Sequence, residues 1–239
     1  MTPLRILRFL LPLALLAASF GSASAQTEKV KNLPYIDQRR LHFGFLLGMH
    51  TQDYAFSHTG AVTDDGQQWF AEIPEFSIGF TVGLVADWAF TEHLNLRLTP
   101  SMLFGNKTVW MREQTTRERM TQDVKSNYIT LPLLLKYSSH RVNNYRPYIT
   151  AGISPMMDIS KRKDTPLQFN RFDASLEVGL GCDLYLPYFK LIPELRFSLG
   201  LSDALRHKRP DLKDPGQTIY TDAIGSAKSR LVSLVFYFE

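Results

Sequence analysis

One cysteine, Cys182, stands in 239 residues, so no disulfide closes within the chain and no other cysteine is available to carry a lipid behind the amino-terminal segment. Excess charge of one sign is scarce too. The formal net charge is +4, and removing residues 1–25, with two arginines and no acid, lowers it to +2, which is too mild to mark a nucleic-acid partner. After residue 25 no run of ~18 consecutive apolar residues occurs, which excludes helical membrane spans from the mature chain. The H-E-x-x-H, G-x-S-x-G and P-loop patterns are missing. Gly179-Leu180-Gly181 lacks a third glycine and lies inside an alternating stretch, so it is no dinucleotide fingerprint. No cofactor, no metal site and no catalytic residue is expected, and the chain reads as a non-enzyme. Ser57-His58 is a nucleophile-and-base pair in name only, because adjacent residues cannot readily form the required hydrogen bond and no orienting third group is evident.

What is present is alternation. From Phe172 to Leu186 apolar residues take every second position, Pro187-Tyr188 turns the chain, and Phe189 to Leu201 alternates again. Each arm is more than twice the ~5–6 residues of an ordinary strand and fits the ~9–11 tilted residues that cross a bilayer as β-structure. The same period recurs over Leu41–His50, Ile78–Phe90, Leu94–Phe104, Asn127–Tyr137, Tyr148–Pro155 and Val232–Phe238, giving about eight strands. Connections alternate long and short. Gly105–Ser126 is charged on both signs without alternation and is expected to be a long loop, as is the polar segment Thr51–Glu75. Pro100, Pro132, Pro155 and Pro193 fall inside these strands and are expected at bulges or strand ends.

The fold class expected is all-β: an eight-stranded antiparallel up-and-down transmembrane β-barrel with long extracellular loops and short periplasmic turns. Residues 1–25 read as a signal peptide, with Arg5 and Arg8 before the apolar run Phe9–Ala18 and an A-x-A site at Ala23-Ser24-Ala25. Residues 26–40 form a periplasmic lead-in without periodicity, and residues 41–239 the barrel. The location expected is the bacterial outer membrane, with both mature termini in the periplasm.

Alternation alone does not say which face is inside; a secreted lipocalin-like barrel has the same period around a greasy interior. Three features favour lipid outside. Glycines 44, 48, 79, 83, 152, 179, 181 and 200 crowd the polar rows and suit a narrow lumen. Trp88, Phe90, Tyr137, Phe189 and Phe238 fall on the apolar rows at the short-turn ends, as an aromatic girdle would. The last strand ends on aromatics.

With lipid outside, Asp87, Arg97, Lys136, Asp173, Glu177, Asp183, Lys190, Glu194 and Arg196 point into the lumen. Breaking a buried ion pair costs ~3–5 kcal/mol, so these charges are expected to pair and plug the barrel. A proton or ion relay would use the same residue types. Cys182 falls on the lipid row as a small hydrophobe. Lys161-Arg162-Lys163 and Arg206-His207-Lys208-Arg209 fall at the outer rim, where Lys161, Arg162, Lys163, Arg206, Lys208 and Arg209 either contact lipopolysaccharide phosphates or partners, or form a solvated rim.

Tyr128-Ile129-Thr130-Leu131-Pro132-Leu133-Leu134-Leu135-Lys136-Tyr137, followed by Arg146-Pro147-Tyr148 with Ala151-Gly152, resembles two successive strands of the small outer-membrane barrels of Bacteroidetes-type bacteria. Asn32-Leu33-Pro34-Tyr35-Ile36-Asp37 leading into His42-Phe43-Gly44-Phe45, and Phe189-Lys190-Leu191-Ile192-Pro193-Glu194-Leu195-Arg196-Phe197-Ser198 with Gly200-Leu201, are similar to the PorT family of gliding and type IX secretion barrels. The resemblance spans nearly the whole mature chain. It implies an outer-membrane component needed for export of cargo bearing a C-terminal sorting domain, such as proteases and adhesins, with other type IX secretion proteins as partners. It supplies no catalytic residue. A general structural or adhesive barrel of the OmpX type is the competing class.

Overall fold

A strand that turns one face to lipid must have both edges paired, since an unpaired backbone amide or carbonyl in hydrocarbon costs several kcal/mol. The chain meets that demand by closing on itself. The computed structural model describes residues 30–58, 69–72, 77–113, 119–160, 169–206 and 224–239, and Asn32–Glu239 folds as one unit. Its strands are β1 (Leu41–His58), β2 (Trp69–Glu72), β3 (Ile78–Ala89), β4 (Leu94–Leu98), β5 (Ser101–Glu113), β6 (Arg119–Thr130), β7 (Leu133–Ser138), β8 (Tyr145–Asp158), β9 (Phe172–Tyr185), β10 (Lys190–Gly200) and β11 (Ile224–Phe238).

β4 and β5 are two parts of one stave, parted at Thr99-Pro100, and β6 and β7 are likewise parted at Leu131-Pro132. Counted so, eight antiparallel staves follow one another around a ring in chain order, and β1 closes it against β11 from Phe45↔Phe238 to His58↔Ile224. The connections β3–β4, β7–β8 and β9–β10 share one end of the cylinder; those after β1, β5, β8 and β10 share the other and are long except β5–β6, which residues 114–118 join. Among the described residues no helix is long and apolar enough to cross a membrane; the crossing elements are strands.

Facing follows the alternation. Phe43, Leu84, Leu180, Leu195 and their row-mates are exposed on the outside, while the intervening polar residues are buried within. Trp88, Phe90, Tyr137 and Phe189 lie exposed at the short-turn ends, and Phe238 stacks on Phe45 with ring centroids 4.8 Å apart. Cys182 sits half-buried on an outward row, a free thiol opposite Pro147.

Three expectations are corrected. Gly105–Ser126 is not a loop along its length: β5 and β6 stay paired from Ser101↔Thr130 to Arg112↔Arg119, and β2 adds to the outer part of β5 from Trp69↔Glu113 to Glu72↔Trp110. Ladder hydrogen bonds need only backbone, so a strand pair can run past the lipid zone without apolar alternation. For the same reason β1 continues to His58 and β11 starts at Ile224, inside stretches expected to be loops. Pro155 and Pro193 lie inside β8 and β10 without a register shift, paired on one side with Ala174 and Phe236, while on the other side the ladder skips them; Pro100 and Pro132 mark strand interruptions. Proline still offers a carbonyl: Pro100, Pro132 and Pro155 accept from the amides of Leu84, Thr99 and Leu131 at 3.0, 3.1 and 3.0 Å, so each costs its wall one donor and keeps one acceptor.

Candidate functional site

The inward rows bring most of the expected lumen charges into one chain of contacts. Arg97, on β4, is fully buried. Its Nε donates to Asp87 Oδ2 at 2.9 Å, and Nη1 donates to Glu194 Oε2 at 3.1 Å. Glu194 on β10 also accepts from Tyr148 at 2.7 Å and from Arg196 Nε at 2.9 Å, and Arg196 Nη1 reaches Glu177 on β9 at 3.0 Å. Lys136 on β7 donates to both oxygens of Asp183 at 2.7 and 2.9 Å. A guanidinium presents five donors in a rigid fork, and this is why Arg97 can serve carboxylates from two different staves at once.

Asp173 is the exception among the nine. It lies toward the long-loop end, partly exposed, and accepts from the Ser202 and Ser229 hydroxyls instead of a cation. Alternation gave its face correctly but carried no information about height along the axis, and at that height its neighbours are serines. Lys190 is buried as expected, yet its partner is Glu239, at 2.7 Å. Glu239 also stands 3.9 Å from Arg97. The last residue of the chain was not among the expected charges, because a terminal residue lies past the alternation that identified the others; that Phe238 faces out is the one signal that would have turned Glu239 inward.

Tyrosines complete the layer. The Arg97 guanidinium lies over the rings of Tyr148 and Tyr237 at 5.2 and 4.7 Å, and Lys136 Nζ lies over Tyr148 at 4.2 Å. Such contacts supply partial negative charge to cations removed from water. Tyr148 fits because Gly181 faces it: a Cβ there would lie 2.4 Å from the Tyr148 ring and 2.8 Å from Pro193 O. Gly181→Val is therefore expected to push Tyr148 off Glu194 and cost ~1–3 kcal/mol in a refolding titration, as overpacking does. Gly105→Ala, whose Cβ would have no neighbour nearer than 3.5 Å, is the control expected to be neutral.

Toward the long-loop end the filling turns apolar. Leu103, Tyr128, Met156 and Leu231 pack together, the Tyr54 hydroxyl meets that of Tyr128 at 3.0 Å, and Phe169 stacks on Tyr54 at 4.4 Å. Phe169 and Leu205 come from the segments flanking β9 and β10 and bridge each other while buried. The short-turn half of the interior thus holds the ionic network with Leu46, Val85, Ile192 and Val235 packed among it, and the other half holds aromatic and aliphatic groups beside buried polar ones such as His50, Gln52, Thr130 and Ser198. Among the described residues no group of three His, Cys, Asp or Glu side chains is placed to hold a metal ion.

At the short-turn end a cleft of about 260 Å³ is lined by Asp37, Glu92, His93, Lys136, Arg141 and Arg146 among others. The lead-in forms part of its wall. Asn32 Nδ2 donates to Tyr185 O at 3.0 Å, and Tyr185 donates to Asp37 at 2.8 Å, so this part of the lead-in is ordered against the barrel.

Of the remaining expected residues, Arg206 is partly exposed, whereas Lys161, Arg162, Lys163, Lys208 and Arg209 lie outside the described residues, as do residues 1–25, expected to be a signal peptide. Ser57 is exposed at the end of β1 beside a register shift, and the His58 side chain lies outside the described residues.

No curated protein matches the sequence. Two solved structures are similar to it. OprG from Pseudomonas aeruginosa is 14% identical with a TM-score of 0.42, the match covering 83% of this chain and 91% of that one. The Neisserial surface protein A, NspA, is 11% identical with a TM-score of 0.43, covering 83% of this chain and 98% of that one. Residues 24–206 match the family described as outer membrane protein beta-barrel domain. With that match spanning more than half of a chain that closes eight staves around a polar interior under an apolar outer face, this protein belongs to the outer-membrane β-barrel family.

Proposed function

We propose that this outer-membrane barrel is an accessory component of the type IX secretion system, required for export of C-terminally tagged cargo such as proteases and adhesins and performing no reaction of its own. The observation that carries the reading is the similarity of Asn32–Asp37 and of Phe189–Leu201 to the PorT family, and the filled lumen makes the role an accessory one. Arg97, Lys136, Asp183 and Glu194 stand in the bore with at most 2% of each side chain exposed, so folded cargo has no path through the centre. A secretion role must then be exercised from the surface, through the lead-in, the short turns or the long loops.

In this reading residues 1–25 are removed on export, both mature termini lie in the periplasm, and the long-loop end faces out, where Lys161, Arg162, Lys163, Arg206, Lys208 and Arg209 meet lipopolysaccharide phosphates. Deleting the gene should leave tagged cargo in the periplasm, measured by fractionation and surface labelling. Normal surface display in the deletion strain would remove the secretion role while leaving the barrel intact.

A structural or adhesive role is the second reading, and the protruding sheet favours it. β5 and β6 continue as a ladder to Arg112↔Arg119, with β2 added at the edge, which is a platform for contacts outside the membrane. Loss of surface adhesion with undisturbed cargo export would select it.

A further inference from the structure

The geometry points to a peptide-binding clasp at the short-turn mouth, built for a short segment that presents one carboxylate and occupied at rest by the chain's own residues 32–38. It is independent of the secretion assignment. Arg141, in the β7–β8 turn, is the centre. Its guanidinium lies 3.6 Å from the Tyr185 ring centroid, and it donates to the carbonyls of Leu33, at 3.4 Å, and Asn32, and to Asn144 Oδ1 at 3.0 Å. The same Asn144 oxygen accepts from the Asn32 amide at 2.9 Å. Arg141 therefore reads main chain, as a peptide site must, and not only charge.

The carboxylate end is equally built. Asp37 lies 3.5 Å from Arg141 and 3.7 Å from Arg146, and Tyr185 donates to its two oxygens at 2.8 and 3.0 Å. Two guanidiniums and a phenol around one carboxylate are an acidic-motif receptor of the kind that arginine clusters form.

Backbone conformation marks the same place. Leu33 at φ 48° and Asn143 at φ 54° are the non-glycine residues with positive φ among the described residues, and both lie in this clasp. Asparagine tolerates that region; leucine does not favour it. The Leu33 carbonyl accepts from the Ile36 amide at 3.2 Å and from Arg141 at 3.4 Å, so a local turn and the Arg141 contact together set the strap's shape.

A tethered occupant faces its site at an effective concentration of order millimolar, so the strap excludes weak competitors and yields to a free segment only when its own grip is loosened. The full mature chain, refolded in detergent micelles, allows the test. In the double variant Asn32→Ala/Asp37→Ala, a fluorescent peptide spanning residues 31–40 should bind saturably, and at least tenfold more tightly than to the wild type. Adding Arg141→Ala should abolish binding, and a peptide with asparagine in place of Asp37 should bind at least tenfold more weakly. Should the double variant not fold, the wild type carries the test: exchange of the Asn32 amide should be slow, and should quicken once free peptide exceeds the strap's effective concentration of order millimolar. No binding by the folded double variant, equal binding by the wild type, full binding of the amide peptide, or an Asn32 amide indifferent to peptide would each overturn the clasp. Inorganic phosphate competing as well as the peptide would also overturn it, as the mark of a bare anion site.

Discussion

Arg97→Met should be the most damaging single substitution in the barrel, costing about 3–5 kcal/mol of folding stability, because it strands the buried Asp87 carboxylate without its cation and takes one of two cations from Glu194. Arg97 is fully buried between Asp87, at 2.8 Å, and Glu194, at 3.1 Å, with Glu239 beyond. Methionine fills similar space but offers no donor, and Asp87 keeps only Asn95, at 2.6 Å, as a close donor. The cost should be read as a lowered midpoint in urea unfolding from lipid vesicles, together with loss of the compact form in cold detergent gels. Arg97→Lys should recover only part of it, since one ammonium cannot serve Asp87 and Glu194 in the forked geometry that the guanidinium supplies. Combining Arg97→Met with Asp87→Asn should cost less than the single change, because the stranded charge goes with its partner, while Glu194 keeps Arg196 at 2.7 Å. A double variant as unstable as the single one would mean that Arg97 acts through packing over Tyr148 and Tyr237, not through charge.

The second large effect lies on the other face. Leu195 is at the middle of β10, exposed outward and paired with Leu234 and Leu180, which are also exposed. Leu195→Arg should cost about 2–4 kcal/mol, the penalty for arginine facing lipid near the midplane. Three residues further along the strand, Ser198 points into the bore and is buried, and Ser198→Thr adds one methyl and should be tolerated. The comparison separates facing from strand propensity, since both residues belong to the same strand. Equal unfolding midpoints for the two variants would contradict the facing of β10 and of the whole cylinder with it.

How far the sequence reached depends on which physical signal each feature left. Period two is a one-dimensional signal, and it survives in the linear chain. Leu41 to Met49, Ile78 to Phe90 and Phe172 to Leu201 could be assigned to strands, and their charges to the interior, without coordinates. The signal is carried by lipid contact, and it fades where lipid ends. That is why the outer parts of β1, β5, β6 and β11 were illegible: their ladders are held by backbone groups that every residue shares. Prolines misled in proportion. Pro100 and Pro132 sit at interruptions as expected, but Pro155 and Pro193 occupy regular positions that lose a single donor each.

The chain by itself determined the number of alternating strands, the side each of their residues faces, and the demand that lumen charges find partners, because all three follow from alternation and from the cost of burying an ion. Partner choice was decided only by the closed ring. Arg97 meets Glu194, Lys190 meets Glu239, and Arg141 clasps Asn32 and Asp37 across sequence separations of 97, 49, 109 and 104 residues. Stagger between staves sets the height at which each side chain enters the bore, and no local pattern encodes that height.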